Sequence, residues 1–479
     1  MVAKPQHICY LVSHGFAARM LMQTNLLGLL RERNFEVSLV APDALDPNLM
    51  SYCSNNGIQL IEYKPSGWIW KSHYMLYRMY FLEDIKSNPA LYEKHYYETH
   101  LLNHRFWILK YLPYVLMCFY NLFRKIPILR KFYWTCEQQF LKSKQAIALI
   151  QKINPHLVIA TYPVNPAEGI LLYNAKKLQI KTSIHLLSWD NITCKGHFLA
   201  LADYYLAWGP VMEQEFIEKY QIPKDRIYCC GVPHFDIHTQ TKNQAVRTDI
   251  LKSLQIDPDK PWIVFGMSSP RFAPREIDIV EYLAKKIKEN AFGETMQLVI
   301  RPHPQNVKGW MADPEWIRRL ESLKNHRILL FYPEMSESSL LWSMDQTDFQ
   351  KLSTVLSGCT VCINSCSTLS MDALMVGKGN IAPMFDGYEK LNYWHSSRRL
   401  LDYTHIKKFV ALGGSQVVTD FASLNSEILN FIYNPNYQLT QRNHCIEHEF
   451  AFEAPSATHT SLNAIEAIAF QTKNAVDEL

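Results

Sequence analysis

Two periodicities trade places along this chain. The run HICYLVS (7–13) is apolar and strand-like; ARMLMQTNLLGLLRERN (18–34) spaces its apolar residues three and four apart, as a helix does; FEVSLVAP (35–42) is strand-like again. Strand, helix and strand in that order form a βαβ opening, which implies a parallel sheet. The alternation breaks between 64 and 136 and then resumes. The pattern predicts a helix over 137–152, a strand over 156–162, a helix over 166–178 and a strand over 181–188. It then predicts a helix over 196–202, a strand over 204–209, a helix over 210–220 and a strand over 226–233. A polar stretch, 234–249, separates this series from a second one that begins with WIVFG inside DPDKPWIVFGMSS (257–269). The second series continues with a helix over 275–290, MQLVIRPHP (296–304), a helix over 313–323, HRILLFYP (326–333) and a helix over 348–356. It ends with TVCINSC (360–366), a helix over 367–377, GNIAPMF (379–385) and a helix near 423–433.

The expected fold class is therefore α/β, with two doubly wound Rossmann-like domains facing a cleft and a helical insertion rich in aromatic and basic residues in the first. The domains fall at 1–240 and 250–440, with 441–479 a tail and helix packing back on the first. A chain of 479 residues exceeds one ordinary core and suits two. With 48% hydrophobic and 20% charged residues and no low-complexity segment, it should be folded nearly throughout. Eleven cysteines without a C-x-x-C pair or zinc-like spacing read as free thiols in a reducing compartment. The N-terminus moves straight into a short strand, without the apolar stretch of a signal peptide. The expected location is cytoplasmic.

A net charge of +4 gives no case for nucleic acid, but the charge is uneven. Between Lys64 and Cys136 eleven Lys/Arg face four Asp/Glu, and nineteen aromatics fall there, including Trp68, Trp70, Trp107 and Trp134. Its longest uncharged run, Tyr111–Phe123, is thirteen residues, short of the ~20 that cross a bilayer. Apolar residues and rings interleaved with Lys110, Arg124, Lys125, Arg130 and Lys131 suit a helix or helical hairpin lying in the headgroup region. The alternative is a helical insertion whose aromatics form core.

Two motifs in the second half carry chemistry. QLVIRPHPQ ends a strand with Arg301-Pro302-His303-Pro304, where two prolines restrict the histidine and an imidazole can donate to a phosphate oxygen. The other reading is a loop histidine pinned for structural reasons. Further on, CINSCSTLSMDALMVGKG is a strand, a hydroxyl cluster (Ser365, Ser367, Thr368) and a helix start, whose unpaired N–H groups and dipole suit a phosphate. Asp372, about one turn in, is placed to accept from a ribose diol. Plain capping by Ser367 and a first-turn acid at Asp372 would need no ligand.

The βαβ opening, GVPHFD at the domain junction, RPHP, and the strand–SCSTLSMDAL–helix, in this order, resemble a GT-B fold glycosyltransferase, closest to surface-polysaccharide enzymes of bacteria and the CDP-glycerol glycerophosphotransferase-like group. The resemblance spans most of the chain outside 64–136. It implies that the C-terminal domain binds a nucleotide-sugar donor, with His303, Ser367 and Thr368 on the diphosphate and Asp372 on the ribose. Ser268, Ser269 and Arg271, in GMSSPRF, would line the same site. Glycerophosphotransferases carry a second histidine in the C-terminal half that has no counterpart beside this serine cluster, which favours a sugar over glycerol phosphate.

The N-terminal domain would then hold a glycan or lipid-linked acceptor and any general base. VSHGFAAR brings His14, Gly15 and Arg19 to the end of the first strand, and LLSWDNITCKG brings Trp189, Asp190, Asn191 and Lys195 to the end of another. Asp190 or His14 could take the acceptor's proton; a tight turn at His14-Gly15 and a cap at Asp190 explain them equally well. Tyr162 and Glu168 follow the strand at 156–162. No acidic metal motif appears, so Arg301, Lys195 and helix dipoles would balance the diphosphate, and transfer is expected without metal or cofactor. The rivals are a nucleotide-sugar 2-epimerase, a CDP-glycerol-type glycerophosphotransferase and a non-catalytic nucleotide-sugar-binding scaffold. The sequence does not fix the oligomeric state.

Overall fold

The computed structural model describes residues 5–66, 72–102, 107–240, 244–307, 313–335, 340, 346–365, 367–450 and 456–471. Trp68, Trp70 and Cys366 lie outside the described residues. The chain forms two compact units, Met1–His234 with Glu337–Ser343 and Phe450–Leu479, and Phe235–Ser336 with Met344–Glu449. Each is a Rossmann-like α/β unit, the two-domain content expected of a GT-B fold.

The first unit is built on seven parallel strands: β1 (His7–Leu11), β2 (Glu36–Ala41), β3 (Gln59–Glu62), β4 (Leu157–Ala160), β5 (Lys181–His185), β6 (Tyr204–Ala207) and β7 (Ile227–Cys229). Their order is β3-β2-β1-β4-β5-β6-β7. Strands β1 and β4 are buried throughout, as expected for strands covered by helices on both faces. The edge strand β3, unforeseen in the sequence, is only half-buried, so it lacks a continuous apolar run. The predicted helix over 196–202 does not form: Gly196 adopts φ +96°, and a short helix, Asn191–Cys194, precedes it. The C-terminal helix Ala457–Phe470 places Leu462, Ile465 and Ile468 in the same core as Ile8, Tyr10 and Leu39.

The insertion separates β3 from the helix Lys144–Ile153. Its longest members are the helices Trp107–Lys125 and Pro127–Phe140. Met79, Tyr80, Ile85, Leu91, Leu116 and Tyr120 give it a small core of its own. Among the described residues no helix is long and apolar enough to cross a membrane.

The second unit contains β8 (Trp262–Gly266), β9 (Gln297–Arg301), β10 (Ile328–Leu330), β11 (Val361–Ile363), β12 (Asn380–Pro383) and β13 (Gln416–Val418), all parallel, in the order β10-β9-β8-β11-β12-β13. The polar stretch after 234 is not a bare linker, since it carries the helix Gln244–Ser253. The boundary expected at 440 falls instead near 450, because the helix Leu439–Phe450 belongs largely to the second unit.

Candidate functional site

In a doubly wound sheet the loops at strand carboxyl ends separate where the strand order reverses, and a ligand can enter there. The first unit reverses between β1 and β4 and the second between β8 and β11. Most of the candidate residues lie on the loops leaving these strands and their immediate neighbours β5 and β9.

In the first unit Glu168, in the first turn of the helix Pro166–Lys177, braces the reversal point. Its buried carboxylate accepts from Ser13 Oγ at 2.6 Å, just past β1, and from the N–H groups of Thr161 and Tyr162 at 2.7 and 2.6 Å, just past β4. Burial pushes its carboxyl up to about 7 against the pull of these donors. Expected beside the acceptor, Glu168 is instead a brace, with both oxygens already engaged.

Above this brace, His14 caps the helix Gly15–Met22, its Nδ1 accepting the Phe16 N–H at 3.2 Å. Burial, and then Lys195, lower its pKa to about 4, with Asp190 opposing. The ring is therefore neutral near pH 7, and since Nδ1 accepts, its hydrogen sits on Nε2. Tyr162 lies edge-on at 5.8 Å between ring centroids. Asp190 accepts from Ser188 Oγ at 2.7 Å and pairs with Lys195 Nζ at 2.8 Å, and that carboxylate raises the lysine pKa further. The structure thus brings His14, Tyr162, Asp190 and Lys195 into one electrostatic group. Lys195, expected to balance a diphosphate, already faces a carboxylate. Asn191 is buried and accepts the Ser188 N–H at 3.0 Å; Trp189 and Gly15 are buried and Arg19 is half-buried.

The second unit repeats the brace. Glu276 opens the helix Glu276–Lys288, and its buried carboxylate accepts the Ser268 N–H at 2.5 Å, past β8, and Ser365 Oγ at 2.9 Å, past β11. Burial pushes this carboxyl up to about 7 as well. Asn306 extends the linkage, donating to the Ser268 carbonyl at 3.4 Å and accepting the His303 N–H at 2.5 Å. The loops after β8, β9 and β11 are thereby tied together.

His303 caps the one-turn helix Pro304–Val307, with Nδ1 accepting the Gln305 N–H at 3.1 Å. Burial, with Arg301 beside it, lowers its pKa to about 4. This ring too is neutral near pH 7, and since Nδ1 accepts, its hydrogen sits on Nε2. Ser367 caps the helix Thr368–Met375: its Oγ accepts the Leu369 N–H at 3.2 Å and donates to Asn364 Oδ1 at 2.8 Å. A Cβ on Gly266 would come within 1.8 Å of Leu369 Cδ2, so the end of that side chain packs directly over the end of β8. Thr368 is half-buried at its first position. In the β8 loop Ser269 is buried and Arg271 half-buried, and Arg399 donates to the carbonyls of Arg271 and Phe272 at 2.9 and 3.2 Å.

Other expected contacts also find partners within the protein. The Arg301 guanidinium, expected on the diphosphate, pairs through Nη2 with buried Asp348 at 2.5 Å and lies over the Phe331 ring. Asp372 is not open to a ribose, because it falls on the inner side of its helix and meets His238 Nε2 at 2.8 Å, while His238 Nδ1 lies 3.0 Å from Ser353 Oγ. Ser365 turns its hydroxyl to Glu276. The sequence reading missed Glu276, Asn306, His238 and Arg399. Only Glu276 carried a signal, an acid at a helix start shortly after a strand.

Among the described residues one grouping could hold a metal, His444, Glu447 and His448 on the helix Leu439–Phe450, and it includes none of these loops. A cavity of about 450 Å³ lined by Arg247, Trp262, Lys378 and Arg442 opens at the amino ends of β8 and β12, the opposite edge of the sheet.

No protein-family model matches the chain, and no curated protein sequence matches it. Solved structures do. UDP-GlcNAc 2-epimerase from Neisseria meningitidis bound to UDP-GlcNAc superposes with a TM-score of 0.57 at 10% identity, over 97% of this chain and 99% of that one. MnaA of S. aureus with UDP gives 0.55 at 11% identity, over 96% of each chain. UDP-GlcNAc 2-epimerase from Methanocaldococcus jannaschii gives 0.53 at 10% identity, over 96% and 100%. At this identity the likeness establishes the fold.

Proposed function

We propose that this chain is a cytoplasmic glycosyltransferase that binds a nucleotide sugar in its second unit and passes the sugar to a glycan or lipid-linked acceptor held by its first, without a metal. The observation that carries the reading is the linkage Glu276–Ser268–Asn306–His303, with Ser365, at the β8/β11 reversal. It fixes a neutral Nε2–H donor on one loop and a helix start with Ser367 and Thr368 on another, two groups that suit a diphosphate. Ser268, Ser269 and Arg271 would complete the donor side, with Asp372 and His238 positioning its helix. Donors set in advance stabilise the charge that grows on the departing nucleotide without rearranging as it forms. On the acceptor side Asp190 would take the hydroxyl proton, with Lys195 holding the carboxylate in place and His14 and Tyr162 orienting the hydroxyl.

A second reading, a nucleotide-sugar 2-epimerase, is favoured by the end-to-end likeness to epimerase structures. A thermal-shift screen with UDP, CDP, GDP, TDP and CMP comes first, because a ligand of the folded state raises its stability. The sugar form of the responding nucleotide is then incubated with and without an acceptor glycan. Glycan extension with nucleotide release supports transfer; conversion of the sugar without acceptor supports epimerisation. No response to any nucleotide overturns both.

A further inference from the structure

The helix Trp107–Lys125 is apolar on two faces. Pro113, Leu116 and Tyr120 turn inward and are buried. On the other side Ile108, Tyr111, Val115, Phe119 and Leu122, continued by Ile126 just beyond the helix, recur three or four apart and are 40–58% exposed. Such spacing makes a continuous apolar stripe along one side of a helix. Trp107, Ile128 and Phe132 are exposed further, at 72, 72 and 66%. Of the large exposed hydrophobic residues in the described structure, half lie between Trp107 and Phe140, too dense for ordinary surface scatter. From Trp107 to Cys136 the chain carries five Lys/Arg and no Asp/Glu.

We propose that this face docks on an anionic lipid bilayer, the two helices lying in the headgroup layer. Rings and aliphatic side chains flanked by cations fit that layer, where apolar groups reach the acyl boundary and lysine and arginine meet lipid phosphates. A second copy of the chain fits poorly, since a twofold contact through this stripe sets a cationic segment against itself, with only Arg124 paired, to Asp84 at 4.0 Å, among the described ion pairs of these five cations.

The insertion also grips the loop that carries Asp190 and Lys195. Arg78 and Glu137, both buried, pair at 2.6 Å, and Arg78 also donates to the His197 carbonyl. Asn88 Nδ2 donates to the Thr193 carbonyl and Lys94 Nζ to the Cys194 carbonyl, each at 2.7 Å. A bilayer under the hairpin would therefore hold the acceptor-side loop at a set height above the lipid. That link to a lipid-borne acceptor rests on the transferase reading; the docking face does not.

The test is sedimentation of the full chain with vesicles of phosphatidylcholine containing 30% phosphatidylglycerol, against pure phosphatidylcholine, at low and high salt. The expected result is co-sedimentation with the anionic vesicles, weakened by salt, and at least a tenfold loss of partition in I108E/V115E with the thermal response to nucleotide unchanged. R124Q/K125Q/K131Q should lower the preference for anionic lipid and keep the fold. Failure of the wild-type chain to sediment with either vesicle overturns the proposal, as does a dimer that I108E/V115E dissociates. Vesicle binding without any nucleotide response would instead sink the transferase reading and leave the docking face standing.

Discussion

The two units use the same device at their reversal points and surround it differently. In each, a buried glutamate at a helix start ties together the ends of the two strands between which the order reverses: Glu168 joins β1 and β4, Glu276 joins β8 and β11. In each, a histidine just past a strand caps the next helix through Nδ1 and stays neutral, with its hydrogen on Nε2. The surroundings then diverge. His14 sits with the Asp190–Lys195 ion pair, whereas His303 sits beside Arg301, itself paired with buried Asp348, on a loop tied through Asn306 to the Ser268 carbonyl. The frame is shared, and the neighbouring loops differ.

That comparison can be broken in several ways. The largest expected effect is on turnover: Asp190→Asn should lower kcat by about 100-fold or more, the usual yield of one acid–base group, with nucleotide affinity unchanged; an unaltered rate removes Asp190 as the base. Next come the braces. Glu168→Ala and Glu276→Ala each strand buried donors, at about 1–3 kcal/mol apiece, so urea unfolding should show a loss of about 2–5 kcal/mol for each variant. Equal losses make the braces equivalent; a loss in only one makes the likeness superficial.

His303→Ala should weaken nucleotide binding by about 10- to 100-fold, as expected for one hydrogen bond to a charged group, while His14→Ala leaves binding intact and slows transfer. Calorimetry with the responding nucleotide separates them, and identical behaviour would show that the two histidines do not differ in role.

A last effect is on the pH dependence of stability. A carboxyl raised from 4.5 to about 7 on folding binds more protons in the native state, so its favourable contribution is complete below pH 4.5 and is lost as pH rises through 7. The two histidines, lowered from 6.5 to about 4, act oppositely, and their contribution is lost as pH falls from 6.5 toward 4. Glu168→Gln with Glu276→Gln should flatten the decline between pH 5 and 7.5, read from unfolding midpoints at each pH.

Much of the fold was legible because buried parallel strands such as HICYLVS and WIVFG read as unbroken apolar runs between helical periods. β3 was not, since an edge strand has no such run to show. The loops holding His14, His303 and Ser367 were legible because a strand end followed by a capping residue and a helix start is a local signal. The partners were not. Nothing near Arg301 in sequence announces Asp348, nothing near Asp372 announces His238, and in both cases a long-range pairing turned an apparent ligand inward. Glu276 shows the intermediate case, placed by a local rule but given meaning only by Ser365, 89 residues away.

The helix Ala457–Phe470 has a consequence for synthesis. It supplies Leu462, Ile465 and Ile468 to a core whose other walls are made hundreds of residues earlier. On the ribosome the first unit must therefore wait, its inner surface incompletely covered, until the helix Ala457–Phe470 has emerged. The second unit, encoded between these two pieces, can settle first. Assembly of the N-terminal sheet is in this sense completed only after the second unit has been made, and a stop codon before 457 should cost the first unit more than the second.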